Sequence, residues 1–100
     1  MAIREVVVRT RPNTSVNFSA PNENGLPNNW GSLELASGEL ISFDESFSAD
    51  GLTKTVTTIF KDEEARTNYN DNSTYRSAMN TVKAEDVNNN ITKTVTITEV

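Results

Sequence analysis

The spacing of apolar and polar residues predicts four strands and an interrupted helical region. Residues 3–11 hold Val6, Val7 and Val8, whose branched side chains suit a pleated surface, and Pro12, with no N–H to give, ends that ladder. Residues 40–48 put Ile41, Phe43 and Phe47 on one face and Ser42, Asp44, Ser46 and Ser48 on the other, with Glu45 interrupting the apolar side. Asp50-Gly51 reads as a hairpin turn, because Gly takes positive φ without a Cβ clash. Residues 52–60 return with Leu52, Val56 and Phe60 on one side and Thr53, Thr55, Thr57 and Ile59 on the other. The closing strand repeats this design, with Ile91, Val95 and Ile97 against Thr92, Thr94, Thr96 and Thr98.

Between residues 61 and 86 the period changes from strand to helix. Asp62-Glu63-Glu64 place negative charge where a helix start favours it, and Ala65 and Tyr69 follow four apart. Asn70-Asp71-Asn72-Ser73 breaks the pattern. Ser73 or Thr74 is the expected cap of a second piece, in which Tyr75, Ala78, Met79 and Val82 share a face. Asn88-Asn89-Asn90 reads as a turn. Residues 13–29, rich in Asn and holding Pro21, Gly25 and Pro27, read as loop, with Val16 and Phe18 placed to dock on the sheet. Residues 28–37 carry Trp30, Leu33, Leu35 and Ala36 between Pro27 and Gly38, the order expected of a short helix. Leu33 and Leu35 also fit a strand, and the sequence leaves both readings open.

The order strand, loop and short helix, strand, strand, helix, strand predicts an α+β fold, the ferredoxin-like plait. It comprises a four-stranded antiparallel sheet with helices on one face, in a single domain over residues 1–100. LTKTVT at 52–57 and ITKTVT at 91–96 are near copies, each with an apolar face for the helices and a threonine face opposite. The threonine face, with Thr53, Thr55, Thr57, Thr92, Thr94 and Thr96, is either solvated or paired with a second copy; the expected partner is a homodimer through this face.

The run from VTTIF through FKDEEARTNY, the polar break NDNSTY, the following helix and ITKTVTITEV resembles the second half of the dimeric α/β-barrel superfamily. In those proteins a strand ending in an aromatic residue leads into a helix that starts acidic and breaks before a second piece and the last strand. The resemblance covers residues 40–100. It implies a plait fold and sheet-to-sheet pairing of two chains. Members include cofactor-independent monooxygenases and haem-degrading enzymes; the haem binders generally use a histidine, which this chain lacks. Its first half departs from the pattern, being short in helix and rich in Pro and Asn where the family has a long amphipathic helix.

Composition narrows the chemistry. The net charge of −5 argues against nucleic acid, which needs a surplus of Lys and Arg, although Arg4, Arg9 and Arg11 cluster. With neither Cys nor His, the chain offers no thiolate, no imidazole base and no transition-metal set, and no cofactor is expected. No stretch is apolar enough to span a membrane, and MAIREVVV lacks the order of a signal peptide, so a cytoplasmic protein is expected, in the host cell if viral. Asp44 and Glu45, adjacent on a strand, point to opposite faces and make no carboxylate pair. The pocket candidates are Trp30, Tyr69 and Arg9, of which Trp30 and Tyr69 are also readable as packing. On these grounds the first expectation is a non-enzymatic, self-associating assembly protein, of a size and composition that suit a phage or virus. The alternative is a cofactor-free enzyme or binder of a small apolar ligand. An apolar cavity of roughly 300 Å³ or more, with a few convergent polar groups, separates the second from the first.

Overall fold

The three central pairings of the sheet follow from the valine and threonine runs. In the computed structural model, which describes residues 1–19 and 38–100, β1 (Ile3–Thr10) lies between β3 (Thr53–Phe60) and β4 (Thr92–Glu99), antiparallel to both. β2 (Leu40–Phe47) pairs antiparallel with β3 on its other side, giving the order β2-β3-β1-β4. Two helices, α1 (Glu63–Asp71) and α2 (Ser73–Asn88), link β3 to β4. This is the four-stranded antiparallel plait expected from the sequence. The predicted element at 28–37, with Trp30, lies outside the described residues. No helix among the described residues is long and apolar enough to cross a membrane.

Register places the side chains. Residues directly opposite one another across an antiparallel pair share a face. Leu40, Phe60 and Ile3 therefore form one row on the helix side, and all three are buried. Glu45, Val56, Val7 and Val95 form a second row, and Phe47, Lys54, Arg9 and Lys93 a third. The helix side thus grades from fully apolar to charged along the strands. The opposite side holds Asp44, Thr57, Val6 and Thr96 in one row and Ser46, Thr55, Val8 and Thr94 in the next. Val6 and Val8, not Val7, stand among the threonines.

Three local expectations are corrected. A bulge between Leu40 and Ser42 leaves Ile41 without a partner, so Leu40 enters the core and Ile41 is 54% exposed. Glu45 then lies on the helix side as predicted, at the uncovered end, with Lys54 Nζ 3.5 Å from its carboxylate. Asn72, rather than Ser73 or Thr74, caps α2 by accepting from the Tyr75 N–H at 3.1 Å, just as Asp62 caps α1 by accepting from Ala65 at 2.8 Å. α2 also runs two residues past Asp86, to Asn88. It stops because Asn90 adopts a left-handed φ of 58° and the Ile91 N–H reaches back to the Asp86 carbonyl at 2.9 Å.

The hairpin between β2 and β3 turns at Gly51, with φ 74°. Asp50 Oδ1 accepts from Ser48 Oγ at 2.6 Å and from the Leu52 N–H at 3.0 Å. Beneath the helices Phe60 meets the edge of Tyr69, with centroids 5.3 Å apart, beside Leu40 and Ala65. Ala78 and Val82 pin α2 to the sheet, both fully buried.

Candidate functional site

The apolar stripe of α2 does not end at Val82. One turn further on the same face stands Asp86, buried at 5% exposure. A lone carboxylate there would be costly, since burial disfavours charge without a partner. Arg9, on the helix side of β1, meets it: Nε donates to Oδ2 at 3.0 Å and a second guanidinium N–H donates to Oδ1. A third donates to the Ser19 carbonyl at 3.1 Å, and the guanidinium lies 5.1 Å from the Phe18 ring centroid. Phe18 docks on the sheet as its alternation with Val16 predicts, its ring 6.2 Å from that of Phe47.

This fork–fork pair forms one end of a cavity of about 510 Å³ between α2 and the β1–β4 side of the sheet. Val7 and Val95 make its floor, and Met79 and Val82 its roof. Tyr75 and Asn70 close it toward the other end, near Glu5, whose carboxylate lies 3.6 Å from Arg66 Nε. Lys83 from α2 and Lys93 from β4 both line the cavity near the Arg9–Asp86 pair.

The environment tunes two of these groups. Burial, then Tyr69 and Glu5, raises the Tyr75 hydroxyl above its ordinary range, so it stays protonated and serves as a hydrogen-bond group rather than a base. Lys93 moves the other way. Burial lowers it, as do the charges of Lys83 and Arg9, while Asp86 and Glu5 oppose the shift. Beside the Arg9–Asp86 pair, the carboxylate at the cavity is that of Glu5. Among the described residues no three His, Cys, Asp or Glu side chains gather as a metal set.

Of the sequence candidates, Arg9 lines the cavity. Tyr69 stands one ring behind the wall, stacked between Phe60 and Tyr75 with a centroid separation of 4.6 Å to the latter. Trp30 lies outside the described residues. The structure adds Asp86, Glu5, Lys83 and Lys93, which the sequence reading passed over. The signal for two of them was present: Asp86 falls in step with Tyr75, Ala78, Met79 and Val82, and Lys93 shares the strand face of Ile91, Val95 and Ile97.

No protein-family description and no curated protein matches this sequence. Solved structures do match in fold. A Bacteroides thetaiotaomicron protein of unknown function, described as a possible oxidoreductase, has a TM-score of 0.70 at 12% identity, covering 99% of this chain and 97% of its own. SnoaB of Streptomyces nogalater, a cofactor-independent oxygenase, has 0.65 at 11% identity, covering 99% and 92%. A dimeric ferredoxin-like protein of unknown function from Jannaschia has 0.70 at 15% identity, covering all of both chains. These likenesses overturn the expectation of a non-enzymatic assembly protein: an oxygenase stands among the structures that share the fold over almost the whole chain. The fold resemblance to the dimeric α/β-barrel proteins, drawn from residues 40–100, extends through the full length.

Proposed function

We propose that this chain is a cofactor-free enzyme of the dimeric α/β-barrel type, which binds a small, largely apolar organic molecule between α2 and the sheet and oxidises it with dioxygen. The observation that carries this reading is the 510 Å³ cavity, which exceeds the roughly 300 Å³ of a small-molecule site and sets Val7, Met79, Val82 and Val95 among polar and charged side chains. An oxygenase without a cofactor draws its electrons from the substrate, which must first ionise. A proton acceptor beside the cavity meets that need, and Glu5 is the candidate. Arg9 holds the cavity end in shape, with Tyr69 supporting Tyr75 from behind.

The second element of the reading is a homodimer formed by the threonine face, through Thr53, Thr55, Thr57, Thr92, Thr94 and Thr96. The face is uncharged at its centre and uncovered by α1 and α2, and the Jannaschia protein is dimeric. Light scattering across protein concentrations tests it. A dimer that weakens at least about tenfold in T55K/T94K, with the fold intact, supports the pairing; a strict monomer at high concentration refutes it.

Binding is tested by thermal shift against a panel of electron-rich phenols and naphthols. A ligand at about 100 times its Kd adds roughly 2.7 kcal/mol of stability. Hits should consume oxygen in the presence of the protein, and Met79→Trp, which fills the roof of the cavity, should abolish both signals. A panel that shifts nothing overturns the reading.

A further inference from the structure

The walls of the cavity carry the opposite charge balance to the chain. The protein has a net charge of −5, yet among the described residues Arg9, Arg76, Lys83 and Lys93 line the cavity against Glu5 and Asp86, with Arg76 paired to Asp71 outside it. The imbalance is local to one end. Asp86 is already engaged by two N–H groups of Arg9. Among the described residues Lys83 and Lys93 each form no ion pair, and no carboxylate other than Asp86 lines that end.

Asp86 and Glu5 attract the Lys93 ammonium, but Asp86 is taken up by Arg9, so the two ammonium groups at this end still repel each other, and an acidic chain has no general need for them there. Their effect on each other is visible, since Lys83 is among the causes that lower Lys93. An anion between them would relieve that repulsion and accept charge-assisted hydrogen bonds from both. The apolar floor of Val7 and Val95 leads directly to this end, Lys93 being two residues before Val95 on the same face of β4.

We infer that Lys83 and Lys93 form an anion-recognition site, so that the cavity selects an aromatic or aliphatic molecule whose apolar body lies on Val7, Met79 and Val95 and whose ionised oxygen, a phenolate, enolate or carboxylate, sits between the two lysines. This rests on the reading of the cavity as a ligand site and names the substrate class it takes. The pair holds the ionised form of the ligand, and the same two charges lower the acidity threshold for forming it.

The experiment uses the full chain and two fluorescent probes of one shape, anilinonaphthalene sulfonate and its uncharged parent N-phenylnaphthylamine. The anion should bind at least about tenfold more tightly than the parent, and added salt should erode that preference. K83Q/K93Q, at two exposed positions where the fold should hold, should weaken the anion by about tenfold or more and leave the parent within about twofold. Met79→Trp should remove both probes. Equal binding of the two probes, or an anion affinity untouched in K83Q/K93Q while Met79→Trp still removes it, overturns the lysine site and leaves the cavity standing as a ligand site. Binding of both probes that survives Met79→Trp places them outside the cavity and overturns both readings.

Discussion

The two faces of the sheet are built from the same strands and could hardly differ more. On one side Leu40, Phe60 and Ile3 disappear beneath α1 and α2, and further along Arg9 is buried with its carboxylate. On the other, threonines flank Val6 and Val8, and the β4 positions Thr94 and Thr96 are exposed. The contrast arises from period-2 alternation alone: one residue of slip would exchange the two surfaces. It teaches that the helix side holds the buried core and the Arg9–Asp86 pair together, whereas the threonine side is left uncovered by α1 and α2. The bulge at Ile41 is where the sheet makes this division work, since without it Ile41 would take the core position and Leu40 would be lost to solvent.

The sharpest way to break the contrast is to remove a side chain from each face. Phe60→Ala deletes a ring at 1% exposure that Tyr69 packs against. A loss of about 3–5 kcal/mol is expected in urea unfolding. Thr96→Ala, on the opposite face, should stay within about 0.5 kcal/mol. Equal losses would mean that the threonine face is as tightly packed as the core.

A nearly equal effect is expected at the charged end of the helix side. Asp86→Leu leaves the Arg9 guanidinium buried without its carboxylate and should cost about 3–5 kcal/mol. R9M/D86L removes both charges and should recover much of that loss, because the cost of the single change lies mainly in the stranded cation. A double variant as unstable as the sum of its singles would show that the two groups are not coupled.

How much of this was legible beforehand divides along the same line. The threonine face could be read residue by residue, because exposed alternation is a local property of each strand. The two-piece helix was equally plain from its broken period. The cavity was not. It depends on Asp86 meeting Arg9 across 77 positions of sequence, and a single chain records no such pairing. Each partner left a local trace, a charge in step with apolar neighbours, but a trace of that kind is also what an exposed helix or strand end looks like. Asn72 was missed as a cap for a different reason: Asn72, Ser73 and Thr74 are all good caps in succession, and only the backbone chooses among them.

Lys93 offers a smaller effect with a definite sign. Its native pKa lies below the ordinary 10.5, through burial, Lys83 and Arg9, against Asp86 and Glu5. The folded state therefore holds the proton less well than the unfolded chain does. That penalty is fully present below the native pKa and fades as pH rises through it toward 10.5. K93Q should accordingly be modestly more stable than the parent at neutral pH, and the two should converge in alkaline solution. A difference that grows with pH would contradict the partial desolvation of the Lys93 ammonium.

The least of the expected effects sits at the hairpin, where the two faces of the sheet meet in solvent. Asp50 is fully exposed, yet its carboxyl is held below the ordinary 3.8, first by the hydrogen bond from Ser48 and then by the Leu52 N–H. Its contribution has the opposite sign to that of Lys93: it is present above 3.8 and is lost as pH falls through the lower native value. Asp50→Asn keeps an oxygen that accepts from Leu52 but removes the titration. Unfolding measured at neutral pH should barely change, whereas the loss of stability in acid should be shallower than in the parent. Identical acid slopes would mean that the turn carboxylate is not engaged in solution, and the tie between β2 and β3 would then rest on Gly51 and the ladder alone.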